Sequence, residues 1–171
     1  MSRRRGPCAA RPPRPERASL QGLAGVSLRD RAIRLLARRE YARAELERRL
    51  LARGGERSDV RAVVSQLEAD GLLSDARYAR ALVARRGGSF SRARIVEELK
   101  AAGLSRDEIE GAVAEADLDD AAALRALWQR RFGRVPVDER DKARQVRFLQ
   151  SRGFALSAIL KLLRGPGRGQ S

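Results

Sequence analysis

The feature that most constrains the fold is an internal repeat of 49–50 residues. The stretch YARAEL over 41–46 matches FSRARI over 90–95, and the same 49-residue shift superposes apolar and glycine positions further along. A second shift, of 50 residues, carries the pattern into the last third of the chain. The matched positions are Leu50/Leu99/Leu149, Gly54/Gly103/Gly153, Val60/Ile109/Ile159 and Val64/Val113/Leu163. A period of this length is typical of small structural units stacked in an array.

Each repeat has the pattern of three short helices, because apolar residues recur at helical spacing and no stretch alternates with period two. The predicted helices cover 28–39, 43–53 and 59–70, then 75–86, 92–102 and 106–116, then 120–132, 142–152 and 156–164. We therefore predict an all-α fold of three tandem three-helix repeats, helix–turn–helix in character, in an elongated array. The predicted repeat boundaries are 28–73, 74–117 and 118–164.

Local signals support these helices. Ser105 with Glu108 has the spacing of a capping box. Gly54, Gly103 and Gly153 fall where a left-handed residue would end the second helix of each repeat. Tyr41 and Phe90 come directly before the expected N-caps of the second helices, Ala42 and Ser91. Leu46 and Ile95 lie four residues after those N-caps. That spacing predicts a hydrophobic staple in each of these repeats.

The two ends of the chain differ from the repeats. Residues 1–27 hold six arginines, one glutamate and four prolines, with no apolar face, and predict a disordered basic arm. Residues 165–171 read as a loose tail. The arm lacks the apolar core of a secretory signal, and its prolines disfavour the alternative of a mitochondrial transit helix, so we expect a cytoplasmic protein. No apolar run is long enough to span a membrane.

The residue types indicate a binding protein and not an enzyme. Histidine is absent and Cys8 is the only cysteine, which excludes internal disulfides, Cys/His zinc sites and Ser-His or Cys-His nucleophiles. No phosphate-binding glycine loop of the Walker type occurs. The acidic residues over 107–120 follow a helix and its flanks, which favours a solvated acidic face over a metal site. We predict no cofactor and no metal.

The third repeat departs from the other two and supplies the predicted contact surface. It carries Arg140 and Gln145 at the staple positions, and Phe148 where the other repeats have charged residues. A helical wheel places Arg140, Arg144 and Arg147 on one face, opposite Ala143, Val146 and Leu149, with Phe148 at the edge. A solvated charged face, and packing of Phe148 under a neighbour, are the alternatives to a partner surface. The predicted contact residues are Arg140, Arg144, Arg147, Phe148, Arg130, Arg131, Lys142 and Arg152.

Five stretches of the chain resemble one known family. They are REYARAELERRL over 39–50, DGLLSDARYA over 70–79, ALWQRRFG over 126–133, KARQVRFL over 142–149 and SRGF over 151–154. In this order, on a three-repeat helical frame, they resemble the RecX family of RecA regulators across about 28–165. Ala155 departs from the small polar N-cap expected at that position, and the basic arm lies outside the resemblance.

The resemblance implies a cytoplasmic bacterial regulator that binds the RecA filament on single-stranded DNA and inhibits strand exchange, ATP hydrolysis and co-protease function. We separately predict that the protein is a monomer. A plain nucleic-acid-binding protein is the alternative, favoured by a net charge of +15 and disfavoured by the few aromatic residues available for base stacking. Salt dependence separates the two, because direct DNA binding weakens steeply as salt rises.

Overall fold

Nine helices follow one another over residues 27–164, the part of the chain that the computed structural model describes. They are α1 (Leu28–Leu36), α2 (Arg43–Leu51), α3 (Arg57–Ala69), α4 (Asp75–Arg86), α5 (Arg92–Ala101), α6 (Arg106–Glu115), α7 (Asp120–Arg131), α8 (Glu139–Ser151) and α9 (Leu156–Leu163). This range contains no β-strand. The all-helical prediction of three three-helix units is confirmed. The predicted arm up to residue 26 and the tail from 165 lie outside the described residues.

Side-chain caps fix where most helices begin. Ser27, Ser74 and Ser91 each accept a hydrogen bond from a backbone N–H in the first turn of the helix that follows. Ser105 and Glu108 form the predicted reciprocal capping box of α6. Ala155 is the N-cap of α9 and forms no side-chain cap. The sequence predicts this, because alanine stands there in place of a small polar residue.

The three predicted turn glycines adopt the left-handed backbone that ends the second helix of each repeat. Their φ angles are +85° at Gly54, +90° at Gly103 and +89° at Gly153. A side chain is strained in this region of the Ramachandran map, so glycine suits the turn. The shared geometry confirms the 49–50-residue alignment at backbone level.

Each repeat has its own apolar core. Leu46, Leu50 and Val64 belong to the first core, Ile95 and Leu99 to the second, and a third core forms around α7–α9 from Leu124, Leu127, Leu149, Phe154, Ile159 and Leu163. The staple residue Tyr41 is 4% exposed and packs in the first core with Leu46. Phe90 is only half-buried, at the edge of the second core.

An aspartate joins neighbouring repeats at two equivalent places. The carboxylate of Asp75, at the start of α4, accepts a hydrogen bond from the N–H of Arg43 at the start of α2, at 2.7 Å. Asp120, at the start of α7, accepts from the N–H of Arg92 at the start of α5, also at 2.7 Å. A carboxylate is stabilised at a helix N-terminus by the free amides and the helix dipole. The first helix of each later repeat thus caps the second helix of the repeat before it.

The helix α8 corrects the sequence interpretation in two respects. It begins at Glu139 and not at residue 142, because Asp138 caps it by accepting from the N–H of Asp141 at 2.7 Å and adds one turn. The wheel was also wrong about Ala143, which is exposed. The buried face consists of Asp141, Gln145 and Leu149.

Candidate partner interface

A polar network holds α8 against α7 where the other repeats have a staple. The amide of Gln145 is 1% exposed, and its Oε1 accepts a hydrogen bond from the indole Nε1 of Trp128 at 2.8 Å. Its Nε2 donates to Oδ2 of Asp141 at 3.2 Å and to the carbonyl of Arg134 at 3.4 Å. Buried polar groups need such partners to offset their lost hydration. The third repeat therefore replaces the staple with hydrogen bonds and does not simply lose it.

The same network orients Arg144. Asp141 is 8% exposed, and its Oδ1 accepts from Nη2 of Arg144 at 2.6 Å while its Oδ2 accepts from the N–H of Val137 at 3.4 Å. Burial alone would raise the pKa of Asp141, but these hydrogen bonds and the Arg144 charge outweigh it and lower the pKa. A buried, ionised carboxylate thus fixes one end of an exposed guanidinium on the protein surface.

Two phenylalanines of the third repeat meet beside this arginine. The rings of Phe132 and Phe148 lie 5.5 Å apart in an edge-to-face arrangement. The guanidinium of Arg131 lies 5.9 and 5.8 Å from their two centroids, and that of Arg144 lies 6.0 Å from the ring of Phe132. Each such cation–π contact contributes about 0.5–1 kcal/mol at an exposed site.

This arrangement continues into the second repeat. The guanidinium of Arg152 lies 5.1 Å from the Phe148 centroid and 4.7 Å from that of Phe90, whose other contact is Arg86 at 4.7 Å. Alternating cations and rings therefore cross the joint between the second and third repeats. We call this surface the arginine–phenylalanine strip; its members are Arg86, Phe90, Arg131, Phe132, Arg144, Phe148 and Arg152.

A shallow cleft of about 470 Å³ opens at the N-terminal end of α8. Four arginines line it, together with the 70%-exposed side chain of Val137 and the carboxylates that cap the helix. Positive charge exceeds negative charge in the lining, so the cleft attracts anions. We call it the third-repeat cleft; its arginines are Arg134, Arg140, Arg144 and Arg147.

The eight predicted contact residues divide into three groups. Arg131, Phe148 and Arg152 belong to the strip, Arg140 and Arg147 to the cleft, and Arg144 to both. The other two serve local contacts. Arg130 donates to the hydroxyl of Ser89 at 3.2 Å across the repeat joint, and Lys142 forms an ion pair with Glu139 at 3.1 Å.

Sequence reasoning missed four residues of this surface. Phe90 is predicted as a staple residue, and Phe132, Arg86 and Arg134 are absent from the predicted contact set. The contact of Phe90 with the predicted residue Arg152 crosses a repeat joint, which the sequence pattern does not signal.

Most of the acidic residues over 107–120 act as caps or ion-pair partners. Glu110 pairs with Arg106 at 2.6 Å, and Asp119 caps α7. Within residues 27–164, no three acidic or cysteine side chains are placed together to hold a metal ion. In the same range, no helix combines the length and the apolarity needed to cross a bilayer.

Comparison with known proteins identifies the class of protein that this fold and surface define. Family profiles described as the second and the third three-helix domain of RecX match residues 74–113 and 118–163. The chain is 42% identical over 139 residues to the regulatory protein RecX of Leptothrix cholodnii, covering 81% of this chain and 88% of that protein. It is 45% identical over 144 residues to the regulatory protein RecX of Pseudomonas savastanoi pv. phaseolicola, covering 83% and 93%.

Two solved structures share the fold. A crystal structure of regulatory protein RecX superposes with a TM-score of 0.59 at 18% identity, covering 80% of this chain and 70% of that one. The structure of RecX from Lactobacillus salivarius gives a TM-score of 0.57 at 16% identity, covering 80% and 94%. The chain belongs to the RecX family of regulatory proteins.

Proposed function

We propose that this protein binds the RecA filament on single-stranded DNA and inhibits the strand-exchange, ATPase and co-protease activities of RecA. It does so as a cytoplasmic, monomeric and non-catalytic regulator. Membership in a family whose relatives are named regulatory protein RecX supports a regulatory role. The residue types agree, because the sequence has no histidine and only Cys8 to act as a thiol nucleophile.

The observation that carries the proposal is the arginine–phenylalanine strip. Arginine and aromatic residues are enriched where protein interfaces concentrate their binding free energy. The strip places four guanidiniums against three half-buried rings, and the adjoining third-repeat cleft adds exposed arginines that can pair with carboxylates of a partner. An acidic, partly apolar protein surface would match both charge and chemistry.

The inhibitory effect requires no cofactor. A regulator that binds one state of a filament more tightly than another shifts the filament toward that state by the difference in binding free energy. A filament presents the same protomer surface many times, and an array of three linked units can contact several copies at once. Linked weak contacts then add to a higher overall affinity.

Direct binding to DNA is the second candidate, and the third-repeat cleft favours it. Four arginines in one cleft suit a phosphate backbone. Against it, the rings of the strip are already covered by guanidiniums of the same chain, which leaves few open faces for base stacking.

Binding measured at two salt concentrations separates these candidates. The protein is passed over RecA filaments assembled on immobilised oligo(dT), and over bare oligo(dT), at 50 and 200 mM salt. We expect strong binding to the filament that salt weakens modestly, and weak binding to bare DNA that salt abolishes. Stronger binding to bare DNA than to the filament would contradict the proposal and favour the second candidate.

Charge reversal tests the third-repeat cleft that adjoins the strip. Arg140 and Arg147 are the best targets, because neither has an ion-pair partner in the described chain, whereas Arg144 neutralises the buried Asp141. The double variant Arg140→Glu/Arg147→Glu should lose filament binding by tenfold or more, since like charges then face each other across the interface. Arg57→Glu/Arg61→Glu on α3 has the same charge change and should retain binding. Equal losses would show that net charge alone drives association.

A further inference from the structure

A second arginine-lined cleft lies on the first repeat, away from the strip. It measures about 270 Å³ and is formed by two arginines of α1, one arginine just after α1, one arginine that follows α2, and the buried side chain of Leu35. We call it the first-repeat cleft; its arginines are Arg31, Arg34, Arg38 and Arg53. We propose that this cleft docks the N-terminal turn of an acidic α-helix of a partner protein. The proposal concerns a separate surface and does not depend on the identity of the filament.

The first-repeat cleft brings together arginines that have no carboxylate neighbour. Several of those outside the cleft are paired, as in Arg29 with Asp70 at 2.7 Å and Arg39 with Glu45 at 2.6 Å, whereas Arg48, Arg57 and Arg61 are exposed outside the cleft without an ion pair in the described residues. The four cleft arginines have no carboxylate partner within residues 27–164. Four unneutralised guanidiniums repel one another, and an incoming anion relieves that repulsion. The lining therefore selects a negatively charged ligand.

The contacts between the first and second repeats, and between the second and third, show what the turn after the second helix of a repeat packs against. We call these two contact regions the inner joints. A Cβ on Gly103 would lie 3.3 Å from the Cβ of Ala44, in the first turn of α2. Gly153 approaches the first turn of α5 even more closely, and its carbonyl accepts a hydrogen bond from the hydroxyl of Ser91 at 2.8 Å. The N–H of Ser91 also donates to the carbonyl of Arg152 at 3.0 Å. In both joints this turn rests on the N-terminus of a helix.

Within residues 27–164, nothing covers the equivalent turn of the first repeat. Gly54 has the same left-handed backbone, and a Cβ built on it meets nothing within 4 Å in the described chain. Arg53 aligns with Arg152, whose guanidinium lies over the ring of Phe90 in the second joint. The first repeat therefore presents the same docking turn, with Arg53 in the place of Arg152. A helix N-terminus that covers this turn must come from outside residues 27–164.

Charge then specifies the helix. Helix N-termini are stabilised by Asp and Glu in the first turn, because these carboxylates face the positive end of the helix dipole. Arg31 and Arg34 lie one turn apart on α1, Arg38 follows the end of that helix, and together they can meet carboxylates on a partner helix. Carboxylates in the first turn of the partner helix would accept hydrogen bonds from the free N–H groups of that helix and would also pair with the arginines of the first-repeat cleft.

Other occupants fit less well. The N-terminal segment of this chain has six arginines and one glutamate over 1–27, and is repelled by the cleft. The N-terminus of α8 in a second copy lies beside the four arginines of the third-repeat cleft, and is repelled for the same reason. Single-stranded nucleic acid has the required charge, but no aromatic side chain lines the first-repeat cleft to stack a base.

The test uses the full chain, labelled with ¹⁵N, and three probes. The first probe is a blocked alanine-based helical peptide with Asp-Glu-Glu in its first turn. The second has the same composition with the acidic residues in its last turn, and the third is oligo(dT). We expect the first peptide to shift the Gly54 amide and the cleft arginine Nε–H signals and to bind severalfold more tightly than its isomer. Equal binding of the two peptides, or larger shifts of these signals with oligo(dT), would overturn the proposal.

Two variants localise the effect without relying on one fold-sensitive change. Gly54→Asn tolerates the left-handed backbone and adds a side chain on the docking face, so it should retain the wild-type melting temperature and lose peptide binding. Arg34→Glu/Arg53→Glu should lose binding as well, and the control Arg57→Glu/Arg61→Glu should keep it. Retention of binding by Gly54→Asn, or an equal loss in the control, would show that the turn is not the docking site.

Discussion

Replacing each turn glycine by alanine measures how tightly the second and third repeats are joined. The three glycines share almost the same φ, so the intrinsic backbone penalty is common to them, about 1–2 kcal/mol. They differ in surroundings: the added Cβ meets nothing near Gly54, touches Ala44 at 3.3 Å from Gly103, and would lie only 2.6 Å from both Ser91 Oγ and Arg94 Cβ at Gly153. Gly54→Ala is therefore the matched control.

Gly153→Ala must break the second joint to remove this collision. It forfeits the two hydrogen bonds that Ser91 donates, each worth about 1 kcal/mol, in addition to the shared backbone penalty. We expect the free energy of unfolding to fall by about 3–4 kcal/mol for Gly153→Ala and by about 1–2 kcal/mol for Gly54→Ala. Urea titration followed by circular dichroism measures both. Equal losses would refute the inference that this turn holds the repeats together.

Three further predictions concern other parts of the chain. Tyr41→Ala should destabilise the protein by about 2–4 kcal/mol because a buried ring is lost, and the half-exposed Phe90→Ala by less, in the same urea titration; a wild-type midpoint for Tyr41→Ala would contradict the buried staple. Because the pKa of Asp141 is lowered in the folded protein, its ionised carboxylate adds to the free energy of unfolding above the ordinary pKa of 3.8, and this contribution is lost as the pH falls through the lowered pKa. Asp141→Asn should therefore reduce the fall in the free energy of unfolding at acid pH, and an unchanged fall would refute this reasoning. A chain that begins at Ser27 should keep the helical signal and melting temperature, and a large drop would show that residues 1–26 contribute to folding.

The repeat pattern was sufficient to predict the fold. Periodic apolar residues and the turn glycines report on local backbone and core packing, and both repeat in register along the chain. For this reason eight of the nine helices start within two residues of the predicted position. The exception is α8, where Asp138 caps the helix one turn early. An aspartate before a helix can cap it or lie within its first turn, and periodicity does not distinguish the two.

The candidate surface was predicted only in part, because it depends on contacts between distant segments. The sequence singled out Arg144 and Phe148 from a break in the repeat pattern, but their setting depends on Trp128 and on Gln145, a polar residue that no periodicity rule places in a core. The pairing of Phe90 with Arg152 crosses a repeat joint and requires the relative placement of two units. Such placement is a tertiary property that a one-dimensional pattern does not encode.

The most direct test of the central claim is the ATPase activity of RecA on single-stranded DNA, measured with the protein at substoichiometric amounts. We predict that wild-type protein and the Arg57→Glu/Arg61→Glu control lower the ATPase rate, and that Arg140→Glu/Arg147→Glu does so at least tenfold less effectively, a difference of about 1.4 kcal/mol or more in binding. An unchanged ATPase rate with wild-type protein bound to the filament, or equal inhibition by both double variants, would contradict the proposed role of the third repeat.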